Sequence, residues 1–211
     1  MALFARAALT ASVLFACAAC ATQFDTKSAG SVRSIAIKPV DEPSIIAATQ
    51  FVLRADSFKM KGQDFGDLMA AQNLRLGAEL RALVAKELDA DGYQVIDDPT
   101  GSDAVLELEI TGFPPVNRPA YAAAAANFEP EFTVSAKLTG AKDKKTLFRR
   151  IYVYRDNSIS PIDGSLLIRP EQKYAFPSAQ ALFGHPELAA EGFRAGLSTI
   201  AKSVGDSLRK P

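Results

Sequence analysis

Residues 65–90 read FGDLMAAQNLRLGAELRALVAKELDA. Apolar side chains recur at Phe65, Leu68, Met69, Leu76, Leu80, Leu83, Val84 and Leu88. Steps of three and four place them on one stripe of an α-helix, with Arg75, Glu79, Arg81, Lys86 and Glu87 mostly on other faces. Unbroken, such a helix would measure ~39 Å. Asp91-Gly92 ends it, because glycine tolerates the left-handed backbone that closes a helix. An apolar stripe of this length has to be covered, and the flanking sequence predicts a sheet on which it can lie.

Upstream, residues 32–40 (VRSIAIKPV) alternate through Ile35 and Ile37 until Pro39, which predicts a first strand. Residues 45–55 could hold a further strand through Phe51 and Leu53. Downstream, 93–97 (YQVID) is a short strand and 97–103 a turn cluster. Residues 104–111 (AVLELEIT) alternate Leu106, Leu108 and Ile110 with Glu107 and Glu109, and 132–138 (FTVSAKL) alternate as cleanly. Residues 146–155 return after a solvated turn at 140–145, which predicts an antiparallel hairpin. Between these runs, 113–131 (FPPVNRPAYAAAAANFEPE) is proline-framed and rich in alanine, and 157–177 reads as irregular. A second amphipathic helix is predicted over 186–209, lined by Leu188, Phe193, Leu197, Ile200, Val204 and Leu208. Its Gly192, Gly196 and Gly205 each cost about 1 kcal/mol relative to alanine, so close packing is expected there. The fold class expected is α+β, a mostly antiparallel sheet of four to five strands with two amphipathic helices on one face.

The chain has 211 residues, 48% of them apolar, and a formal net charge of zero. That is long enough for one well-buried core, expected over 32–211, and it gives no electrostatic reason to expect nucleic acid. Beyond the N-terminus no apolar run approaches eighteen residues, so no internal membrane span is expected. Residues 1–20 differ in kind. Arg6 precedes an apolar segment at 7–16 (AALTASVLFA), which ends in LFACAAC, the layout of a signal peptide. Leu14-Phe15-Ala16-Cys17 resembles a bacterial lipobox, in which the cysteine is lipidated and becomes the mature N-terminus. Cys20 is the alternative acceptor, and Cys17 is favoured because Leu14 stands three before it. The competing account is an ordinary cleaved signal with incidental cysteines. A redox role for Cys17-x-x-Cys20 is rejected because the pair lies inside the leader. No cysteine follows Cys20, so the body has neither an internal disulfide nor a thiol nucleophile. Residues 21–31 read as a tether. The lack of Asp after either cysteine resembles lipoproteins released to the outer membrane.

A lipobox-like leader, a strand ending in Pro39-Val40, a helix closing as AKELDADGYQVI and the run SDAVLELEITGF together resemble small Gram-negative envelope lipoproteins. These are of the curli-secretion or penicillin-binding-protein-activator type, or auxiliaries of envelope transporters. The resemblance spans residues 32–155. It implies a partner-binding accessory role and transfers no site residue.

Candidates for chemistry are few. His185 is the sole histidine, whereas a metal site or a histidine-based triad needs further convergent groups; it reads as a capping or surface residue. Glu107 and Glu109 share a strand face about 7 Å apart, which suits a carboxylate pair, but Lys137 on a neighbouring strand would simply pair with them. Asp97 and Asp98 belong to a turn before Pro99. None of Ser102, Ser165 and Ser198 sits in a nucleophile elbow, and there is no dinucleotide or phosphate-loop motif. Gly192-x-x-x-Gly196 lies on a charged helix, which favours core packing over membrane dimerisation. No catalytic residue, metal or cofactor is assigned.

Two surfaces remain. Lys142, Lys144, Lys145, Arg149 and Arg150 cluster around the hairpin among Phe148, Tyr152 and Tyr154, a pattern that could take glycan, lipid phosphate or nucleic acid, although Asp143 and Asp156 dilute it and the expected compartment argues against nucleic acid. A solvated turn with edge protection is the plainer account. The loop carrying Val116, Tyr121 and Phe128 is either functional or packed over the open sheet face. Val116, Tyr121, Phe128, Phe148, Arg150, Tyr152 and Tyr154 are therefore the candidate partner or ligand surface. The function expected is a non-enzymatic accessory in envelope assembly or transport, lipid-anchored on the periplasmic face of the outer membrane and bound to a protein partner. The alternative is a carrier of lipid or a small apolar ligand, or an auxiliary subunit of an envelope transporter.

Overall fold

A computed structural model describes residues 31–42, 65–111, 129–155 and 164–209. The leader with Cys17 and Cys20, the strand expected through Phe51 and Leu53, and the loop residues Val116, Tyr121 and Phe128 lie outside the described residues.

Six strands form one sheet among the described residues: β1 (Ser34–Ile37), β2 (Gln94–Ile96), β3 (Ala104–Thr111), β4 (Phe132–Gly140), β5 (Thr146–Tyr154) and β6 (Leu166–Ile168), in the order β2-β1-β3-β4-β5-β6. The centre is antiparallel, β3 to β4 to β5. The flanks are parallel: β1 pairs with both β2 and β3, and β6 pairs with β5. The expectation of a mostly antiparallel sheet of four to five strands is thus corrected to a mixed sheet of six. Helical chain between β1 and β2 supplies the crossover that a parallel pair requires. The three-residue β6 falls in the segment read as irregular, and so short a run carries no period to detect.

The helix expected over 65–90 is two helices, α1 (Phe65–Ala71) and α2 (Leu76–Ala90). Asn73 adopts a left-handed φ of 53°, and the Leu74 amide donates to the Met69 carbonyl at 3.2 Å, the closing pattern of a helix C-terminus. Asparagine is the residue after glycine best suited to that conformation. The apolar stripe survives the break, since Phe65, Met69, Leu76, Leu80, Val84 and Leu88 are all buried. α2 starts without a side-chain cap from Arg75. Instead the Glu42 carboxylate accepts from the Gly77 and Ala78 amides, each at 3.0 Å, placing negative charge at the positive helix end.

A short helix, α3 (Ala179–Gly184), leads into α4 (Pro186–Leu208). Pro186 fits the first turn of α4, where its missing N–H is no loss. α2 and α4 run parallel, as three contacts show: Arg194 Nε donates to Glu79 Oε2 at 3.2 Å, Gly205 faces Glu87, and Arg209 Nε donates to Asp91 Oδ1 at 2.9 Å. The Tyr93 hydroxyl donates to the Leu208 carbonyl at 2.6 Å and fixes the end of α4. Against the sheet α4 comes very close. A Cβ on Gly192 would fall 2.6 Å from Pro130 Cγ, and one on Gly196 would fall 2.8 Å from Phe132 Cζ. This is the close packing its glycines lead one to expect. The core is one cluster between these helices and the sheet face carrying Ile35, Ile37, Leu106, Val134, Leu138 and Tyr152.

Candidate functional site

Alternation along β5 puts Phe148, Arg150, Tyr152 and Tyr154 on one face, and register sets them beside Leu138, Ala136, Val134 and Phe132 of β4. That is the core face. Phe148, Tyr152 and Tyr154 are buried, so these three do not form a partner surface. Arg150 is half-buried, and its guanidinium donates to Ser207 Oγ at 3.2 Å, while the Tyr152 hydroxyl bonds the same oxygen at 3.0 Å. The arginine stem thus lies along the core with its head at the α4 rim. Burial pushes the Tyr152 hydroxyl above its ordinary pKa, against the opposing bond from Ser207. Burial likewise raises Tyr154. Basic and aromatic residues alternate here because one strand serves a core and a rim.

The opposite face of the sheet carries Glu107, Lys38 and Lys137. Glu107 is paired with Lys38 and lies 3.6 Å from Lys137 across the strand pair. The Lys38 hydrogen bond, more than any other influence, holds the Glu107 carboxyl below its ordinary value. An acid poised to donate a proton needs the reverse shift. Glu109 stands exposed opposite Ser135. The two glutamates share a face as expected; Lys137 reaches Glu107 as expected, but Lys38 is the closer partner, and Lys137 makes no ion pair with Glu109 among the described residues.

At the end of the sheet where β1 begins, one residue, Asp103 at the entry of β3, ties β1 and the turn between β4 and β5 together. Asp103 Oδ2 accepts from the Arg33 amide (2.9 Å), the Ser34 amide (3.0 Å) and the Ser34 hydroxyl (3.2 Å). Its carbonyl accepts from the Ala141 amide at 2.9 Å, tying in the turn between β4 and β5. The Arg33 and Ser34 amides hold the Asp103 carboxyl below its ordinary value, and nearby Lys142 adds to this. Sequence reading missed this centre. The only local signal was an Asp at the entry of a strand, a position as common in plain turns.

Among the remaining candidates, Asp97, Asp98 and Ser102 serve the fold. Asp98 caps a single 3-10 turn, Pro99–Gly101, accepting from the Thr100 amide at 2.8 Å. Asp97 pairs with Arg81 at 2.7 Å, and Ser102 Oγ donates to the Pro99 carbonyl at 2.9 Å. His185 joins α3 to α4 with an exposed ring, its Nδ1 3.6 Å from Glu187. Ser198 lies exposed on α4. Among the described residues no group of three His, Cys, Asp or Glu could hold a metal ion, and no helix is long and apolar enough to cross a membrane.

The architecture is that of an α+β protein with a mixed six-stranded sheet and helices packed over one face. No protein-family model matches the sequence, and no curated protein matches it. Among solved structures, the chain is similar to lipoprotein GNA1162 from Neisseria meningitidis, at 16% identity and a TM-score of 0.33, over 63% of this chain and 86% of that one. It is also similar to a protein from Xanthomonas campestris described by the family name DUF330, at 16% identity and a TM-score of 0.41, over 83% of this chain and 84% of that one.

Proposed function

We propose that the protein is a non-enzymatic lipoprotein of the bacterial envelope, anchored by Cys17 to the periplasmic face of the outer membrane, where it binds another envelope component. The observation that carries this reading is the leader: a charged start, an apolar run and Leu14-Phe15-Ala16-Cys17, which resembles a lipobox. In support of an accessory role, four of the groups weighed for catalysis are engaged in structural work: Glu107 sits between two lysines, Asp97 pairs with Arg81, Asp98 caps a turn, and Ser102 bonds a carbonyl. The carrier alternative finds no support where α4 meets the sheet, since the Gly196 backbone lies against Tyr154 and Phe132 with no space for a methyl group.

The test is metabolic labelling with an alkyne fatty acid, followed by membrane fractionation, for the wild-type chain, Cys17→Ser and Cys20→Ser. Label in the outer-membrane fraction that is lost in Cys17→Ser is the expected result. Loss only in Cys20→Ser would move the anchor by three residues. An unlabelled, soluble wild-type protein would overturn the reading.

A further inference from the structure

The turn between β4 and β5 carries Lys142, Lys144 and Lys145, and register places it at one particular end of the fold. β1 and β3 are parallel, with Ile35 beside Ala104. β4 is antiparallel to β3, with Gly140 beside Ala104. The turn therefore stands at the end of the sheet where the chain enters β1, two strand spacings or about 10 Å to the side. Asp103 fixes this placement through the Arg33, Ser34 and Ala141 amides. All three lysines and Arg33 are exposed.

Two local acids stand against these four cations. The Asp103 carboxylate accepts from the Arg33 and Ser34 amides, and Asp143 Oδ1 accepts from the Lys145 amide at 3.0 Å. Neutral amides leave both acids charged, so four cations against two anions give the turn and its neighbour Arg33 a net positive charge. Farther along the same end, Asp91 and Asp206 share Arg209. Lys144 has a left-handed φ of 56°, a conformation that the Asp143 and Gly140 hydrogen bonds hold in place. The turn thus presents its ammonium groups from a fixed backbone.

We propose that Lys142, Lys144 and Lys145, with Arg33 beside them, form a contact surface for the anionic phosphate headgroups of the bilayer that anchors the protein. This rests on the lipid-anchor reading above: an anchor at Cys17 keeps the entry of β1, and the basic turn with it, within a tether's reach of at most about 50 Å from the lipid, and the positive charge then selects the end that faces it. Each lysine close to an anionic surface strengthens binding about five-fold. The attraction reaches only about 8 Å at physiological ionic strength. The turn would set which end of the body faces the membrane and leave the open sheet face to the side.

The test uses the full-length lipidated protein and needs no variant. It is labelled with a water-soluble amine-methylating reagent in three settings: vesicles of phosphatidylethanolamine with phosphatidylglycerol, vesicles of phosphatidylcholine, and detergent micelles with added inorganic phosphate. Mass spectrometry then reads each lysine, with Lys38 and Lys202 as internal references. The expected result is several-fold slower labelling of Lys142, Lys144 and Lys145 in the anionic vesicles alone, reversed by high salt. Equal labelling in all three settings, on protein whose N-terminal peptide carries the lipid mass, would overturn the proposal and leave the anchor standing. Protection by inorganic phosphate in micelles would also overturn it, in favour of a free-anion site. A recovered N-terminus without lipid would overturn the anchor reading and this inference together.

Discussion

Gly196 of α4 lies directly against the ring of Tyr154 on β5: a Cβ at this glycine would fall 2.6 Å from Tyr154 Cε1 and 2.7 Å from Cδ1. Both partners are buried, and Phe132 closes the same contact from β4. Gly196→Ala gains about 1 kcal/mol in helix propensity but drives a methyl group into a packed ring, which costs typically 1–3 kcal/mol. The net result expected is a loss of stability, read as a lower midpoint in urea unfolding. Gly184→Ala is the control, because nothing lies within 4 Å of a Cβ there. A midpoint for Gly196→Ala at or above wild type would mean that α4 stands farther from the sheet.

Tyr152 tests whether β5 faces inward as described. Tyr152→Phe keeps the ring and removes the hydroxyl that bonds Ser207, so it should cost about 1 kcal/mol. Tyr152→Ala empties a core site and should cost about 3–5 kcal/mol, as for other large aromatic truncations. A surface aromatic would give a change near zero for both. Thermal unfolding of the two variants separates the cases.

Glu42 caps α2 from a distant part of the chain. Glu42→Ala leaves the Gly77 and Ala78 amides without their acceptor, and losses of this kind cost about 0.5–2 kcal/mol. Glu42→Gln keeps one acceptor oxygen and should recover part of the loss. Hydrogen exchange at the two amides is the direct measurement, with faster exchange expected in Glu42→Ala.

Asp103 makes a prediction in pH. Its folded pKa is depressed by the Arg33 and Ser34 amides, so its contribution is present above the unfolded pKa of about 3.9 and lost as pH falls through the folded value. Asp103→Asn should therefore be less stable than wild type at neutral pH, by about 1 kcal/mol once exposure is discounted. The gap should close as pH drops below the ordinary aspartate range. Unfolding midpoints at pH 7 and pH 3 give the comparison, and a gap that widens at low pH would contradict the hydrogen-bonding described.

Some of this architecture could be read without a structure. Residues 104–111 alternate so regularly that both the strand and its buried face, Leu106 and Leu108, follow from a period of two. The helix over Pro186–Leu208 follows from its period of 3.6, and its three glycines announced a close approach. The break at Asn73 was less legible, because the apolar stripe continues in phase across it. Residues on β5 misled for a different reason. Leu147, Ile151 and Val153 alternate with Phe148, Tyr152 and Tyr154, so both faces read as apolar and the sequence offers no choice between them.

Local periodicity, the cysteine-free body and the lipobox-like leader are properties of neighbouring residues, and the chain alone determines them. Strand order, the parallel flanks, the inward turn of β5, and the meeting of Asp103 with Arg33, Ser34 and Ala141 belong to the tertiary structure. Each depends on groups from 14 residues apart, as in the pairing of Tyr152 with Leu166, to about 70, as in Asp103 with Arg33, brought together only when the shared core forms. A side chain sets its own preference for helix or strand, but what it faces is decided by every element that competes for the same buried surface.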